Sequence, residues 1–212
     1  MRLIRTTLPY VLLVACVYTA QGAVFLSGGE YPIMGDIPGH QKNPHVALGQ
    51  SGGFVVWQNA TEDSGGERIV AQRISADQMG VGSIAVISQN IDGQNEVNPK
   101  VALLKDGRAI VVWQAGPRNS QDVYARFLDD QGQFLSAIIR INTYHQGVQD
   151  SPSVAVAENG AVLVVWESEG VDGSGLAVCG QAFDSAGVKV GSEFRINQTT
   201  ARNQSLPVVA AT

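Results

Sequence analysis

The sequence has few cysteines and few charged residues, and each shortage excludes a class of protein. Its two cysteines are Cys16, in an apolar N-terminal stretch, and Cys179. Without that stretch a single cysteine remains, so no internal disulfide can form and the fold must be held together by packing. Charged residues make up 16% of the chain, and the net charge of −5 comes without a basic patch. We therefore expect no nucleic-acid partner.

Long hydrophobic runs are absent except for "LPYVLLVACVYTA" at 8–20, which is short for a membrane span and follows two arginines. This pattern is typical of an export signal. Two processing sites remain open. Cleavage after Gly22 would remove a signal peptide at 1–22, whereas "LVAC" resembles a lipoprotein signal and makes Cys16 a candidate lipidation site. Both predict an exported protein, secreted or at the cell surface, with no transmembrane span in the mature chain.

Three tryptophans mark an internal repeat. Trp57, Trp113 and Trp166 each end a valine-rich run, and they recur at 56 and 53 residues. Prolines recur with the same period: Pro44, Pro99, Pro152 and Pro207. Two independent markers with one period indicate a repeat array or a propeller.

Each repeat contains four short β-rich segments separated by turn residues such as Asp-Gly or Asn-Gly. Four antiparallel strands in about 54 residues are typical of a propeller blade. The valine runs read as strands that are covered on both faces, and the tryptophans as structural residues that pack between blades. Burying one such side chain contributes about 2–3 kcal/mol, and its N–H then needs an acceptor.

The predicted fold class is all-β, a β-propeller-like array of four-stranded antiparallel blades that is incomplete. Residues 30–44 align without a gap on residues 193–207, which predicts that the N-terminal region supplies the last strand of a preceding blade. The predicted domains are that strand at 24–42, blade 1 at 43–97, blade 2 at 98–150, blade 3 at 151–205, and the start of a truncated blade 4 at 206–212. Because three blades are too few to close a ring, we expect either a fragment of a longer protein or an open stack.

The units resemble a family of bacterial exported repeats whose pattern runs Pro-x-Val-Ala, Asp-Gly, Val-Val-Trp and Glu-Phe-x-x-Asn. The motifs that carry the resemblance are "AQRIS" at 71–75, "DGSG" at 172–175, "GQAFD" at 180–184 and "EFRIN" at 193–197. The resemblance implies an exported or surface-associated protein with a β-propeller-like fold. It implies no particular reaction.

Two acidic, glycine-rich loops offer the only candidates for a metal. Asp63 in "EDSGGE" and Asp172 in "VDGSGL" occupy equivalent places in the first and third units. Calcium needs several oxygen ligands around one point, and these loops lack the regular acidic spacing of known calcium loops. A tight turn is the favoured interpretation. We therefore expect no cofactor, with calcium as the alternative.

No serine elbow, phosphate-binding loop or paired-cysteine motif is present. The leading hypothesis is therefore an exported, non-catalytic propeller that serves as a binding, adhesion or scaffold module and is not an enzyme. Its ligand is unknown, and an extracellular polysaccharide or protein is the expected class. The alternative is a fragment of a glycan-active, sialidase-like propeller enzyme.

Overall fold

The computed structural model describes residues 37–60, 66–89 and 95–211, together with the backbone of two N-terminal strands. The chain divides into a unit of residues Met1–Ile37 and a unit of residues Pro38–Thr212. In the first unit, β1 (Cys16–Thr19) pairs antiparallel with β2 (Gly22–Phe25). The predicted lipidation of Cys16, cleavage after Gly22 and most of the predicted strand at 24–42 fall outside the residues described with side chains.

The second unit consists of three four-stranded antiparallel sheets, and each follows chain order from its first to its last strand. Blade 1 contains β3 (His40–Gly49), β4 (Gly52–Ala60), β5 (Arg68–Ser75) and β6 (Gly80–Val86). Blade 2 contains β7 (Glu96–Leu103), β8 (Ala109–Ala115), β9 (Asp122–Leu128) and β10 (Ile139–Arg140). Blade 3 contains β11 (Gln149–Val156), β12 (Val162–Glu169), β13 (Leu176–Phe183) and β14 (Lys189–Arg195). The all-β, incomplete propeller-like array predicted from the repeats is confirmed, and no helix of the described residues could cross a membrane.

In blades 2 and 3, the hairpin between the first two strands forms where the sequence places a glycine after Asp or Asn. In the β7–β8 turn, Gly107 has a φ of 85°, and the Leu104 N–H donates to the Arg108 carbonyl at 2.8 Å. In the β11–β12 turn, Gly160 has a φ of 84°. A side chain at positive φ would be strained, so these glycines allow the tight reversal that joins the two strands.

The seams, which we define as the interfaces between neighbouring blades, hold the core. All seven residues of β8 are buried, since this strand lies between blade 1 and blade 3. Its odd-numbered residues, including Trp113, pack on Phe54, Val56 and Ile69 of blade 1. Trp166 packs in the same way on blade 2. The continuous apolar runs of the sequence therefore reflect coverage of the second strand on both faces.

The three tryptophan side chains are 0–3% exposed. Trp113 also stacks on Tyr124 with ring centroids 6.2 Å apart. Among the described residues, none of the three indole N–H groups donates a hydrogen bond. The two seams therefore use Trp113 and Trp166 for their apolar area rather than for a polar contact.

A β-bulge interrupts the first strand of every blade just before its proline. The register shifts between Lys42 and His45 in blade 1, and the same shift recurs in the other two blades. The residue before each proline has a left-handed backbone, with φ values of 49° to 57° at Asn43, Asn98, Ser151 and Leu206. This conformation turns the N–H of that residue out of its own ladder and leaves it free to bond elsewhere.

Candidate functional site

The residue after each tryptophan forms a hydrogen bond across the seam. Gln58 Oε1 accepts the Asn98 N–H at 3.0 Å, and Gln114 Oε1 accepts the Ser151 N–H at 2.9 Å. In blade 3, the Oε1 of Glu167 accepts the Leu206 N–H at 2.7 Å. We call this contact the seam hydrogen bond. A neutral glutamine makes it in blades 1 and 2, so the carboxylate at Glu167 is not needed for the seam.

A second acid faces Glu167 on the adjacent strand. Asp150 of β11 is the direct partner of Glu167 in the β11–β12 ladder. Directly opposed residues of antiparallel strands place their Cβ atoms about 4.5–5.5 Å apart on one face of the sheet. The corresponding pairs are Lys42 with Gln58 in blade 1 and Val97 with Gln114 in blade 2. Of the three blades, only blade 3 has two carboxyl groups at this place.

The two carboxyl groups lie in different environments. Burial raises the pKa of Asp150, and the negative charges of Glu167 and Glu169 raise it further. Its Oδ1 is buried and has no hydrogen-bond partner among the described residues. Glu167 is 5% exposed and is held by the Leu206 N–H. Two nearby carboxyl groups in unlike surroundings can hold one proton between them, as acid–base catalysis requires.

One loop approaches the end of β12 two residues beyond Glu167. Glu169 ends β12, and its Oε2 accepts the Val148 N–H at 3.0 Å. Gly147 has a φ of 69°, and a Cβ there would lie 2.8 Å from the same oxygen, so the loop can approach only without a side chain. The hydroxyl of Tyr144 lies beside Gly170 at the end of the same strand. The acidic pair therefore sits where the 143–148 loop meets the end of β12.

Of the two predicted calcium residues, only Asp172 belongs to the described part of the chain. Asp172 accepts hydrogen bonds from the Ser174 N–H at Oδ1 and from Asn197 Nδ2 at Oδ2, both at 3.1 Å. These contacts are those of a turn that is tied to the end of β14. Asp63 lies outside the described residues, which contain no group of three or more His, Cys, Asp or Glu side chains that could hold a metal. Calcium stays a prediction that depends on loop composition alone.

Cys179, like Trp113 and Trp166, lies in a seam core. Cys179 is 1% exposed in the seam between blades 2 and 3. Burial, with a smaller contribution from Glu193, raises the pKa of its thiol to about 11. The thiolate is therefore scarce at neutral pH, as expected for a packed cysteine.

The acidic pair was not predicted from the sequence. One of its members leaves a signal there, because the residue after the tryptophan is Gln58, Gln114 and then Glu167. That departure marks Glu167 alone, since Asp150 becomes its neighbour only through the β11–β12 register.

No protein-family profile and no curated protein matches the sequence. Several solved structures share its fold. An α-L-arabinanase from Penicillium chrysogenum complexed with arabinobiose has a TM-score of 0.54 at 14% identity, over 79% of this chain and 54% of that chain. A GH43_1 enzyme from Xanthomonas citri has a TM-score of 0.52 at 12% identity, over 78% and 57%. A thermostable family-43 glycoside hydrolase has a TM-score of 0.50 at 8% identity, over 75% and 55%.

These likenesses correct the leading hypothesis from the sequence. We expected a non-catalytic binding or scaffold module that is not an enzyme, and this expectation is wrong because the matched folds are those of glycoside hydrolases. The alternative, a piece of a glycan-active propeller, is better supported. At these identities the likeness shows the fold alone, and the chain spans about half the length of the solved structures that it matches.

Proposed function

We propose that this chain is part of a glycan-active β-propeller that hydrolyses glycosidic bonds, with Asp150 and Glu167 as its carboxyl pair. The observation that carries the proposal is their direct opposition on β11 and β12, where the other blades pair Lys42 with Gln58 and Val97 with Gln114. Glycoside hydrolysis uses two carboxyl groups that flank the bond to be cleaved.

The roles follow from the surroundings of each group. The raised pKa of Asp150 favours its protonated form, so it is suited to give a proton to the oxygen of the leaving sugar. Glu167, with one oxygen fixed by the Leu206 N–H, is suited to act as the base or nucleophile through its other oxygen. The nearby carboxyl group of Glu169 makes a further, smaller contribution to the raised pKa of Asp150.

Further support comes from the fold and the N-terminal sequence. The matched arabinanase was solved in complex with arabinobiose, and we infer by analogy that a plant or microbial polysaccharide is the substrate class here. The signal-like stretch at 8–20 supports an exported protein, secreted or held at the surface through Cys16. The resemblance to exported bacterial repeats agrees with this location.

The test is a sugar-release assay on the full-length gene product, with arabinan, xylan and other glycans as substrates. Glu167→Gln removes the charge but keeps an oxygen that can accept the Leu206 N–H, as Gln114 accepts the Ser151 N–H. We expect this variant and Asp150→Asn to lose about 100-fold or more in rate with unchanged folding. Glu158→Gln is the matched control, because the Glu158 side chain is 83% exposed on a turn. Unchanged rates in both variants, or no release from any glycan, would contradict the proposal.

A further inference from the structure

One face of blade 3 is built for a seam that the described residues do not complete. We call it the open face. Its apolar residues are Ala155, Leu163, Val165, Val178, Gly180, Phe194 and Ile196, and Asp150 and Glu167 lie on the same face. Phe194 and Ile196 are each 44% exposed.

The corresponding faces of the other two blades are covered. Strand register identifies the equivalent residues in blade 1 as Ala47, Phe54, Val56, Ile69, Ala71, Ala85 and Ile87. In blade 2 they are Ala102, Ile110, Val112, Val123, Ala125, Ile139 and Ile141. Both sets belong to seam cores, where Ile87 and Ile141 are 0% exposed. The open face therefore has the composition of a seam but only part of its cover, since Val165 is 4% exposed whereas Phe194 and Ile196 are 44% exposed.

Residues 204–211 already hold the position of a following first strand. The Gln204 N–H donates to the Leu176 carbonyl at 2.8 Å, as the Gln149 N–H does to Gln121 one repeat earlier. Leu206 makes the seam hydrogen bond to Glu167, and the Val209 N–H donates to Ser153 Oγ at 3.3 Å. The contacts that join successive blades thus continue beyond blade 3.

An apolar cavity of about 570 Å³ lies beside this segment, lined by Leu163, Ala182, Phe194 and Val209 among others. Leu206 and Val208 are 79% and 87% exposed. In the seam between blades 2 and 3, Val162, Val164 and Trp166 of the second strand cover the equivalent face. The cavity therefore fits the second strand of a further blade, with a tryptophan at the end of that strand.

We propose that the open face binds a further four-stranded blade of this chain's own repeat type, whose second strand brings a Val-Val-Trp run onto Leu163 and Phe194. A second copy of the chain docking through its blade 1 is a poorer fit. Its β3 would need the place that residues 204–211 occupy on blade 3.

The experiment extends the chain in register. Pro207 corresponds to Pro152, so Thr212 corresponds to Ala157, and a copy of residues 158–204 attached after Thr212 completes a fourth unit. We expect the melting temperature to rise by about 5 °C or more, since a covered apolar face adds stability. In an Ile196→Cys variant that also carries Cys16→Ser, we expect thiol labelling at 196 to slow about tenfold or more on extension.

The matched control is the same extension with the copy of Trp166 changed to lysine, which should lose both effects. Phe194→Asp in the receiving face should lose them as well. Two results would overturn the proposal. One is an extension that proteases digest while residue 196 stays as reactive as before. The other is an unextended chain that light scattering shows to be a dimer with residue 196 protected, which would assign the open face to a second copy.

Discussion

The seam hydrogen bond of blade 2 provides a quantitative test of how the blades are joined. Gln114 is 5% exposed, and its Oε1 accepts from Asn98 Nδ2 at 2.8 Å and from the Ser151 N–H at 2.9 Å. Its Nε2 donates to Gln121 Oε1 at 3.1 Å. The perturbation is Gln114→Leu, which keeps the side-chain volume and removes all three bonds.

We expect this variant to lose about 2 kcal/mol of unfolding free energy. A neutral hydrogen bond contributes about 1 kcal/mol net, and a buried N–H left without an acceptor, here that of Ser151, costs about 1–3 kcal/mol. The extra apolar burial of leucine offsets part of this loss. For a protein of this size the change corresponds to a melting temperature about 4–8 °C lower.

The assay is urea unfolding followed by tryptophan fluorescence, with the melting temperature as a second measure. Gln133→Leu is the matched control, because Gln133 is exposed on the turn after β9 and should change stability by less than about 0.5 kcal/mol. If Gln114→Leu is as stable as this control, the seam hydrogen bond does not join the blades and our account of the interface is wrong.

Two further predictions concern titratable groups in the seams. Burial, and then the charge of Lys100, lowers the pKa of His45, whose Nδ1 accepts the Val101 N–H at 3.2 Å. Its folded pKa lies below 6.5, so we expect urea midpoints to fall as the pH drops from 6.5 through the folded pKa. His45→Ser, which introduces the residue that blade 3 has at the equivalent Ser153, should reduce that fall. The pKa of Cys179 is raised to about 11, so in a Cys16→Ser chain this thiol should resist iodoacetamide at pH 8. It should react once urea unfolds the protein. Rapid labelling of the native protein would show that the seam is open.

The blades could be predicted from the sequence because their signals are local and repeated. Asp106-Gly107 and the valine runs specify a hairpin, and the tryptophan spacing specifies the period. One strand was overestimated. The closing β-rich segment of the second unit, "AIIRIN" at 137–142, predicts a strand over its whole length, whereas β10 covers only Ile139–Arg140. The Phe127 N–H is taken by Ser136 Oγ at 3.0 Å instead, so a side chain replaces part of the ladder there.

The site could not be predicted in the same way, because its partners meet through strand pairing. Asp150 and Glu167 are 17 residues apart and become neighbours only when the β11–β12 register is known. The bulge before each proline shifts that register, and its left-handed residue is Asn43, Asn98, Ser151 or Leu206, which share no side-chain chemistry. The fold class could therefore be predicted from composition and repeat period. The pairing of Asp150 with Glu167 depends on a register shift that the amino-acid sequence does not reveal.

The bulge before each proline also has an evolutionary consequence. At three junctions of the described chain, one unit offers a main-chain N–H, which all residues except proline possess, and the preceding unit accepts it with a Gln or Glu. This hydrogen bond therefore does not depend on which side chain the donor residue carries. Duplication or loss of a whole unit would keep the seam hydrogen bond at each remaining junction. The number of blades could therefore change in evolution without substitutions at the donor residues.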